Sequence, residues 1–377
     1  MLKCASLHTC EVDDPSIALA EIRQQLSERI TPAKNTIGII ISSPEFIETG
    51  VVKHLSEELP FDLVGGTSVS QATNHIVSEL VLTIFVMTSD EVRFVSGATE
   101  KIDESLKTDE KPALILSFPP FLLDAIGDDY LEAWGRVFPG VPVFGATAVS
   151  DSVDFSESRS FCNGVAHDRL MSYVLCYGNI KPRFLMTSLS EENTLPFNGE
   201  ITKSTGTVVH EISKENANAY LKRLGMIKEG APVETLWSVP FLVSQRGRAD
   251  YDGVPVMRAL ASFDKDGSGF FCGKMEQGST FTLLQCLPED VVETALKLSE
   301  KIAALPDVNG VLGFPCGIRR IPLIHLDSTR ELVGIKNNLG DIPFMLAYVG
   351  GEMCPTSEKD GYYTNRFHNY TFITMVV

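Results

Sequence analysis

Short uninterrupted apolar runs alternate along this chain with stretches whose apolar residues recur at every fourth position, which predicts strands separated by amphipathic helices. The alternation repeats. A first copy opens with Ile37-Gly38-Ile39-Ile40-Ile41, carries the stripe Ile47, Val51, Leu55 and Leu59, and closes with Leu63-Val64-Gly65-Gly66-Thr67-Ser68-Val69-Ser70. A second opens with Ala113-Leu114-Ile115-Leu116-Ser117, carries Leu122, Ile126, Tyr130, Trp134 and Phe138, and closes with Val143-Phe144-Gly145-Ala146-Thr147-Ala148-Val149-Ser150. The two closing runs share G-x-T-x-V-S, the mark of a duplication. A fainter third copy runs from Val311-Leu312-Gly313-Phe314-Pro315-Cys316 to Phe344–Glu352. Its helix, with Leu332, Ile335 and Leu339, is introduced by the capping-box pattern Ser328-Thr329-Arg330-Glu331.

Two apolar strands flanking an amphipathic helix read as parallel neighbours joined by a right-handed crossover. Val81–Met87 with Glu91–Val95, and Met171–Tyr177 with Arg183–Met186, read as hairpin-like strands that add antiparallel members. Thr371–Val377 supplies the next strand after the third copy. The expected fold is therefore α/β to α+β: mixed sheets with flanking helices, built from repeated β-α-β-β units in two domains. Further helices are expected after Asp14-Pro15, with Leu19, Ile22, Leu26 and Ile30 on one face, and from Pro288, with Val291, Ala295, Leu298 and Ile302. The segment Met226 to Pro232 is the expected linker between domains at 1–225 and 226–377.

Composition narrows the functional classes. With 377 residues, 44% of them apolar and 21% charged, the chain is globular rather than disordered. A net charge of −17 repels phosphate backbones and anionic membrane surfaces, so nucleic acid is excluded as an expected partner. No apolar run is long enough to span a bilayer, and Met1–Ser6 lacks the order of a secretory signal. The eight cysteines include no C-x2-C pair, which excludes a zinc ribbon, a thioredoxin-type pair and attached c-type haem. These features predict a reduced, cytoplasmic protein without membrane insertion.

Three places offer candidate chemistry. Gly65-Gly66-Thr67-Ser68, Gly145-Ala146-Thr147 and Gly350-Gly351-Glu352 each end a buried-looking strand, where exposed N–H groups could hold a carboxylate, although glycine there also serves tight turns. Phe314-Pro315-Cys316-Gly317-Ile318-Arg319-Arg320 sets a thiol beside two guanidiniums, a field that would lower its pKa and make Cys316 a ligand or nucleophile. His368 opens the last strand and is the histidine expected to face a shared cleft. No metal spacing occurs among the seven histidines. Cys354-Pro355 could ligate haem iron through its thiolate. Asp264-Lys265-Asp266-Gly267-Ser268-Gly269 begins like a calcium loop, but Met275 stands where the closing glutamate belongs, so it reads as a hairpin turn.

Taken together these residues resemble the FIST family of paired sensory domains. Leu63-Val64-Gly65-Gly66-Thr67-Ser68 is similar to the family's G-G-T-S strand end, and Val143-Phe144-Gly145-Ala146-Thr147-Ala148 to its F-G-G-x-A segment, with Asn163-Gly164 as the turn that follows. Phe314-Pro315-Cys316-Gly317-Ile318-Arg319 resembles its F-S-C-x-x-R signature, and Gly351-Glu352 with His368-Asn369-Tyr370-Thr371 its closing strand. Gln71 replaces the acid that usually follows G-G-T-S, and Pro315 the serine.

The resemblance implies a sensor that binds a small, amino-acid-like ligand and signals to a separate histidine kinase or cyclic-nucleotide enzyme. The expected pocket joins Gly65, Gly66, Thr67, Ser68, Gly145, Thr147, Cys316, Gly317, Arg319, Gly351, Glu352 and His368, with Arg319 pairing a ligand carboxylate. Two alternatives stay open: a haem-binding nitric-oxide sensor, and an enzyme using Cys316 as nucleophile with His368 as base.

Overall fold

The computed structural model describes residues 2–122, 124–152, 155–228 and 233–377. Three six-stranded sheets enclose one apolar core, and each is built around one copy of the repeat. In the first, Asn35–Ser42 and Asp62–Thr67 run parallel and are joined through the helices Glu45–Glu48 and Val51–Glu58. Leu82–Ser89 returns antiparallel beside the opening strand, and Lys3–Thr9 pairs with it at the edge. The second sheet repeats this order with Leu114–Phe118, helix Gly127–Val137, Val143–Ala146, Met171–Tyr177 and the edge strand Arg93–Thr99. The third does so with Val311–Pro315, helix Arg330–Leu339, Phe344–Ala347, Phe372–Val376 and Arg183–Thr187. The faint third copy is therefore a complete one.

The last two strands of every sheet are a hairpin taken from another copy. Gln71–Thr73 with Val77–Ser78, which follows the first closing strand, completes the third sheet. Ser160–Cys162 with Val165–His167 follows the second and completes the first, turning at Asn163-Gly164, where both residues have positive φ. Glu352–Lys359 with Tyr362–His368 follows the third and completes the second. The exchange is cyclic, so the three copies form a threefold ring in topology. The expected hairpins after each closing strand are corrected here. Leu82–Ser89 stays in the first sheet while Arg93–Thr99 crosses to the second, and Met171–Tyr177 stays in the second while Arg183–Thr187 crosses to the third. Alternating hydrophobicity marks a strand, but it carries no record of which sheet that strand will join.

Inward faces of the three sheets meet in a core that includes Ile39, Phe85, Phe118, Phe144, Met345 and Met375. The Phe314 ring lies 6.0 Å from Phe118 and 5.6 Å from Phe144. Helices cover the outward faces. Pro15–Arg29 buries Leu19, Ile22 and Leu26, and Asp14 Oδ1 accepts hydrogen bonds from the Ser16 and Ile17 amides at its start. Helix Gly127–Val137 buries Trp134, whose Nε1 donates to Ser117 Oγ at 3.2 Å. The stripe expected from Ile47 to Leu59 is broken at Gly50, which adopts φ +83°.

A fourth, eight-stranded sheet is inserted between strand Arg183–Thr187 and helix Pro288–Ala303, and it has a core of its own around Phe241, Phe271 and Phe281. It docks on the third copy through Met257, Ala259, Leu284, Val291, Leu323 and Tyr370. Strands Leu260–Phe263 and Gly269–Phe271 form the hairpin expected around Asp264–Ser268. Residues 229–232 of the expected linker lie outside the described residues. Among the described residues no helix is long and apolar enough to cross a membrane.

Candidate functional site

The three strand ends do converge, as the repeat predicts, but their amides are spent on one another. The Thr67, Thr147 and Tyr348 amides donate to Arg159, Gly351 and Ser70 carbonyls of the neighbouring copies at 2.9 to 3.0 Å. One residue on, Ser68, Ala148 and Val349 donate to Ser42, Pro119 and Pro315 of their own copies. Val149 and Gly350 then donate across to the Thr67 and Thr147 carbonyls. Ser68 Oγ donates to the Tyr348 carbonyl at 2.7 Å. These groups weld the copies together and leave no nest of free N–H groups, so the expected anion cradle is corrected to a structural seam. Gly65 and Gly145 serve close approach: a Cβ on either would overlap the Ile40 or Ser117 carbonyl of the adjacent strand. Gly66 is likewise crowded by Ala148 and the Arg159 carbonyl.

Arg319 is fully buried and commits four of its five N–H donors to the protein. Its Nε bonds Glu331 Oε1 at 2.8 Å, Nη1 the Tyr370 carbonyl at 3.0 Å, and Nη2 the Val291 carbonyl at 2.8 Å and Thr294 Oγ1 at 3.1 Å. Tyr348 Oη donates to the other Glu331 oxygen at 2.7 Å. Glu331 therefore turns inward rather than capping its helix, and the pairing of Arg319 with a ligand carboxylate does not match this placement.

Cys316 is also enclosed. Its amide donates to the Thr371 carbonyl, and that of Gly317 to Val349. Burial, with Glu352 beside it, pushes the Cys316 thiol up rather than down, opposite to the field expected from its arginine neighbours. His368 lies opposite Glu352 across the strand pair; its ring is buried, Nε2 has no hydrogen-bond partner, and no bond joins it to Cys316. Burial, with Arg258 and Arg366 nearby, lowers its pKa to about 3. A nucleophile–base pair is not assembled.

An open cavity of about 330 Å³ lies at the end of the second copy instead. Thr147 and Gly350 of the strand-end ring line it. Phe121, Leu122 and Ile126 enter from the segment before helix Gly127–Val137, and Ser262, Phe270 and Cys272 from the inserted sheet. Phe367 completes the lining, and only glycine leaves room for its ring: a Cβ on Gly127 or Gly351 would overlap it. Thr147 Oγ1 is buried without a hydrogen-bond partner. Behind the cleft the buried Arg258 ties three elements together, bonding both Asp128 oxygens at 3.3 Å, the Phe367 carbonyl at 2.7 Å and the Lys274 carbonyl at 3.2 Å.

The comparisons agree with this architecture. The FIST N domain matches residues 36–215 and the FIST C domain follows at 216–355, in the order of a paired-domain protein. The chain belongs to the FIST family. FIST domains are sensory domains that bind small ligands in signal transduction. No curated protein sequence matches the chain. The junction between the FIST N and FIST C matches falls inside the inserted sheet, ten residues before the boundary expected at 225/226 (225 − 215 = 10).

Of the residues expected to form the FIST pocket, Thr147 lines the cleft, whereas Gly351, Glu352 and His368 are buried and do not line it. Gly65, Gly66, Thr67, Ser68, Gly145, Cys316, Gly317 and Arg319 belong to the seam or the core. Sequence reasoning missed Asp128 and Arg258, which have no motif. Phe121 stands next to the Pro119-Pro120 break, and Phe270 beside the Asp264 turn; an aromatic at a break is the one signal that could have found them. The cleft does not suit a haem. No histidine is among its described lining residues, Cys354 is in the closed core, and the Cys272 thiol is pushed up to about 11 by burial, away from the thiolate that iron requires. Its free volume sits at the lower end of the range filled by drug-sized ligands, too little for a macrocycle.

Proposed function

We propose that this FIST protein is a sensor that takes a small ligand in the cleft between its second repeat copy and the inserted sheet. The observation carrying this reading is that one cavity draws its lining from the FIST N segment, the FIST C segment and the last strand hairpin together. A ligand touching all of them favours the arrangement in which they are closest, and such differential binding is the only way a ligand can shift a conformational equilibrium. The inserted sheet has its own core and meets the rest of the molecule through a separate interface, which supports its movement as a unit. In this reading the output is a separate histidine kinase or cyclic-nucleotide enzyme, and the setting is the cytoplasm, where eight unpaired thiols persist.

A thermal-shift screen of small metabolites, repeated on Ala261→Trp to fill the cavity, tests the site. We expect stabilising compounds to lose their effect in the variant. Hydrogen exchange should also slow at 121–127 and 262–272 when they bind to the native protein. Compounds that stabilise both proteins equally would remove the cleft as the sensing site.

A further inference from the structure

The charged groups behind the cleft, Lys274, Arg248 and Arg258, are committed to neighbouring carboxylates and carbonyls. Lys274 Nζ pairs with Asp129 at 2.9 Å and Glu132 at 2.7 Å, and its amide donates to Asp128 Oδ2 at 2.9 Å. Arg248 Nε bonds Asp250 at 2.9 Å, and Arg258 is closed behind the wall. The N-terminus of helix Gly127–Val137 would attract an anion, but it already carries Asp128 and Asp129 in its first turn, and Asp129 Oδ2 accepts from the Ile126 amide at 3.1 Å. No charged side chain is among the described lining residues, which are aromatic and aliphatic apart from Thr147, Thr207, Ser262 and Cys272.

Thr147 supplies the second, independent observation. The residue is 6% exposed, its Oγ1 finds no partner in the protein, and it belongs to the cavity lining. An orphaned buried hydroxyl is costly unless something in the cavity completes it. Phe121, Phe270, Phe271 and Phe367 are all in the lining, which makes the wall of the cavity largely aromatic.

We infer that the cleft selects an uncharged aromatic molecule bearing one hydroxyl or carbonyl, for which the Thr147 side chain turns its Oγ1 into the cavity while the ring packs among the phenylalanines. This rests on the cleft being the ligand site, and it departs from the amino-acid-like ligand that the family resemblance implies. A zwitterion would have to shed its hydration in a cavity that offers it no counter-charge, and a buried unpaired charge is far costlier than a buried ring.

Titration calorimetry with p-cresol, toluene, 4-hydroxyphenylacetate and tyrosine tests the class. We expect p-cresol to bind one to one and at least about tenfold more tightly than 4-hydroxyphenylacetate or tyrosine. Thr147→Val should weaken p-cresol by about fivefold, the worth of one neutral hydrogen bond, and leave toluene unchanged. Ala261→Trp should abolish both. Where that variant fails to fold, Ser262→Trp, at another lining position, replaces it with the same expected loss. Tighter binding of tyrosine or 4-hydroxyphenylacetate, blocked by Ala261→Trp, would overturn the ligand class and keep the cleft. Binding of p-cresol that Ala261→Trp leaves intact would overturn the cleft itself. No binding of any of the four at millimolar concentration would overturn the inference.

Discussion

Both carboxyl oxygens of Glu352 are buried without a well-formed hydrogen bond, and the Cys316 thiol and Thr371 amide are their neighbours. Burial raises this carboxyl well above its ordinary range, which favours its neutral form. The other copies explain why that is tolerable. Glu352 stands opposite Ala146, as Gln71 stands opposite Ala347 and Ser160 opposite Gly66. Gln71 Nε2 donates to the Val81 carbonyl at 2.8 Å, and Ser160 Oγ donates to Leu170. A protonated Glu352 is the third neutral group of the set. With a folded-state pKa above the unfolded one, the native state holds its proton longer, so stability falls as pH rises above about 4.5. Glu352→Gln should remove that slope, as read from urea unfolding between pH 5 and 9. An unchanged slope would mean the native carboxyl is ionised.

His368 acts with the opposite sign. Its pKa is lowered to about 3, so the unfolded state binds the proton first and stability is lost as pH falls from about 6.5 toward 3. His368→Gln should flatten the acid limb of the same urea series. The buried Arg319–Glu331 pair is a third residue-scale case, and its worth is in being complete. Arg319→Ala should cost about 3–5 kcal/mol, because it strands a buried carboxylate. Removing both charges, as Arg319→Met with Glu331→Leu, should cost clearly less. An Arg319→Ala protein of native stability would free that arginine for the ligand role expected from its motif.

Helix Gly127–Val137 shows how one element divides its glycines between structure and site. Gly127 at its start faces the Phe367 ring, whereas a Cβ on Gly135 meets nothing within 4 Å. Gly127→Ala should therefore destabilise by about 1–3 kcal/mol through overpacking and also weaken cleft ligands, since Phe367 forms part of the lining. Gly135→Ala should stabilise by about 0.5–1 kcal/mol through helix propensity alone. Equal effects of the two in denaturant titration would argue against this division. The sequence stripe placed Leu122 and Ile126 on this helix; the helix begins at Gly127, and both residues line the cleft instead.

At the scale of the molecule, exchange of hairpins makes the FIST N and FIST C segments interdependent. Residues 36–215 alone would leave the second sheet without Glu352–His368 and the third without its three central strands. The inner face of the second sheet, including Phe118 and Phe144, would lose the Phe314 side of the core. We expect that isolated segment to lack a cooperative unfolding transition and to bind apolar dyes, while the full chain unfolds sharply. A cooperative transition from the segment would show that its sheets close without the third copy.

Sequence pattern by itself determined the strands and helices of the three copies, the Asp14 cap and the hairpin turn at Asp264. Each of these depends on residues within one or two turns or a single strand, and short-range pattern records such relations faithfully. The family motifs added the sensory class. Tertiary structure alone decided which sheet each hairpin completes, that Arg319 and Cys316 close inward, and that the cleft forms at Thr147 rather than at all three strand ends. Three apolar inner faces can be buried only against one another, and that long-range closure assigns strand partners that no local pattern specifies. The same closure spends amides and guanidinium donors that looked free in the sequence, and it leaves the Thr147 hydroxyl buried without a partner beside the cavity that the inserted sheet covers.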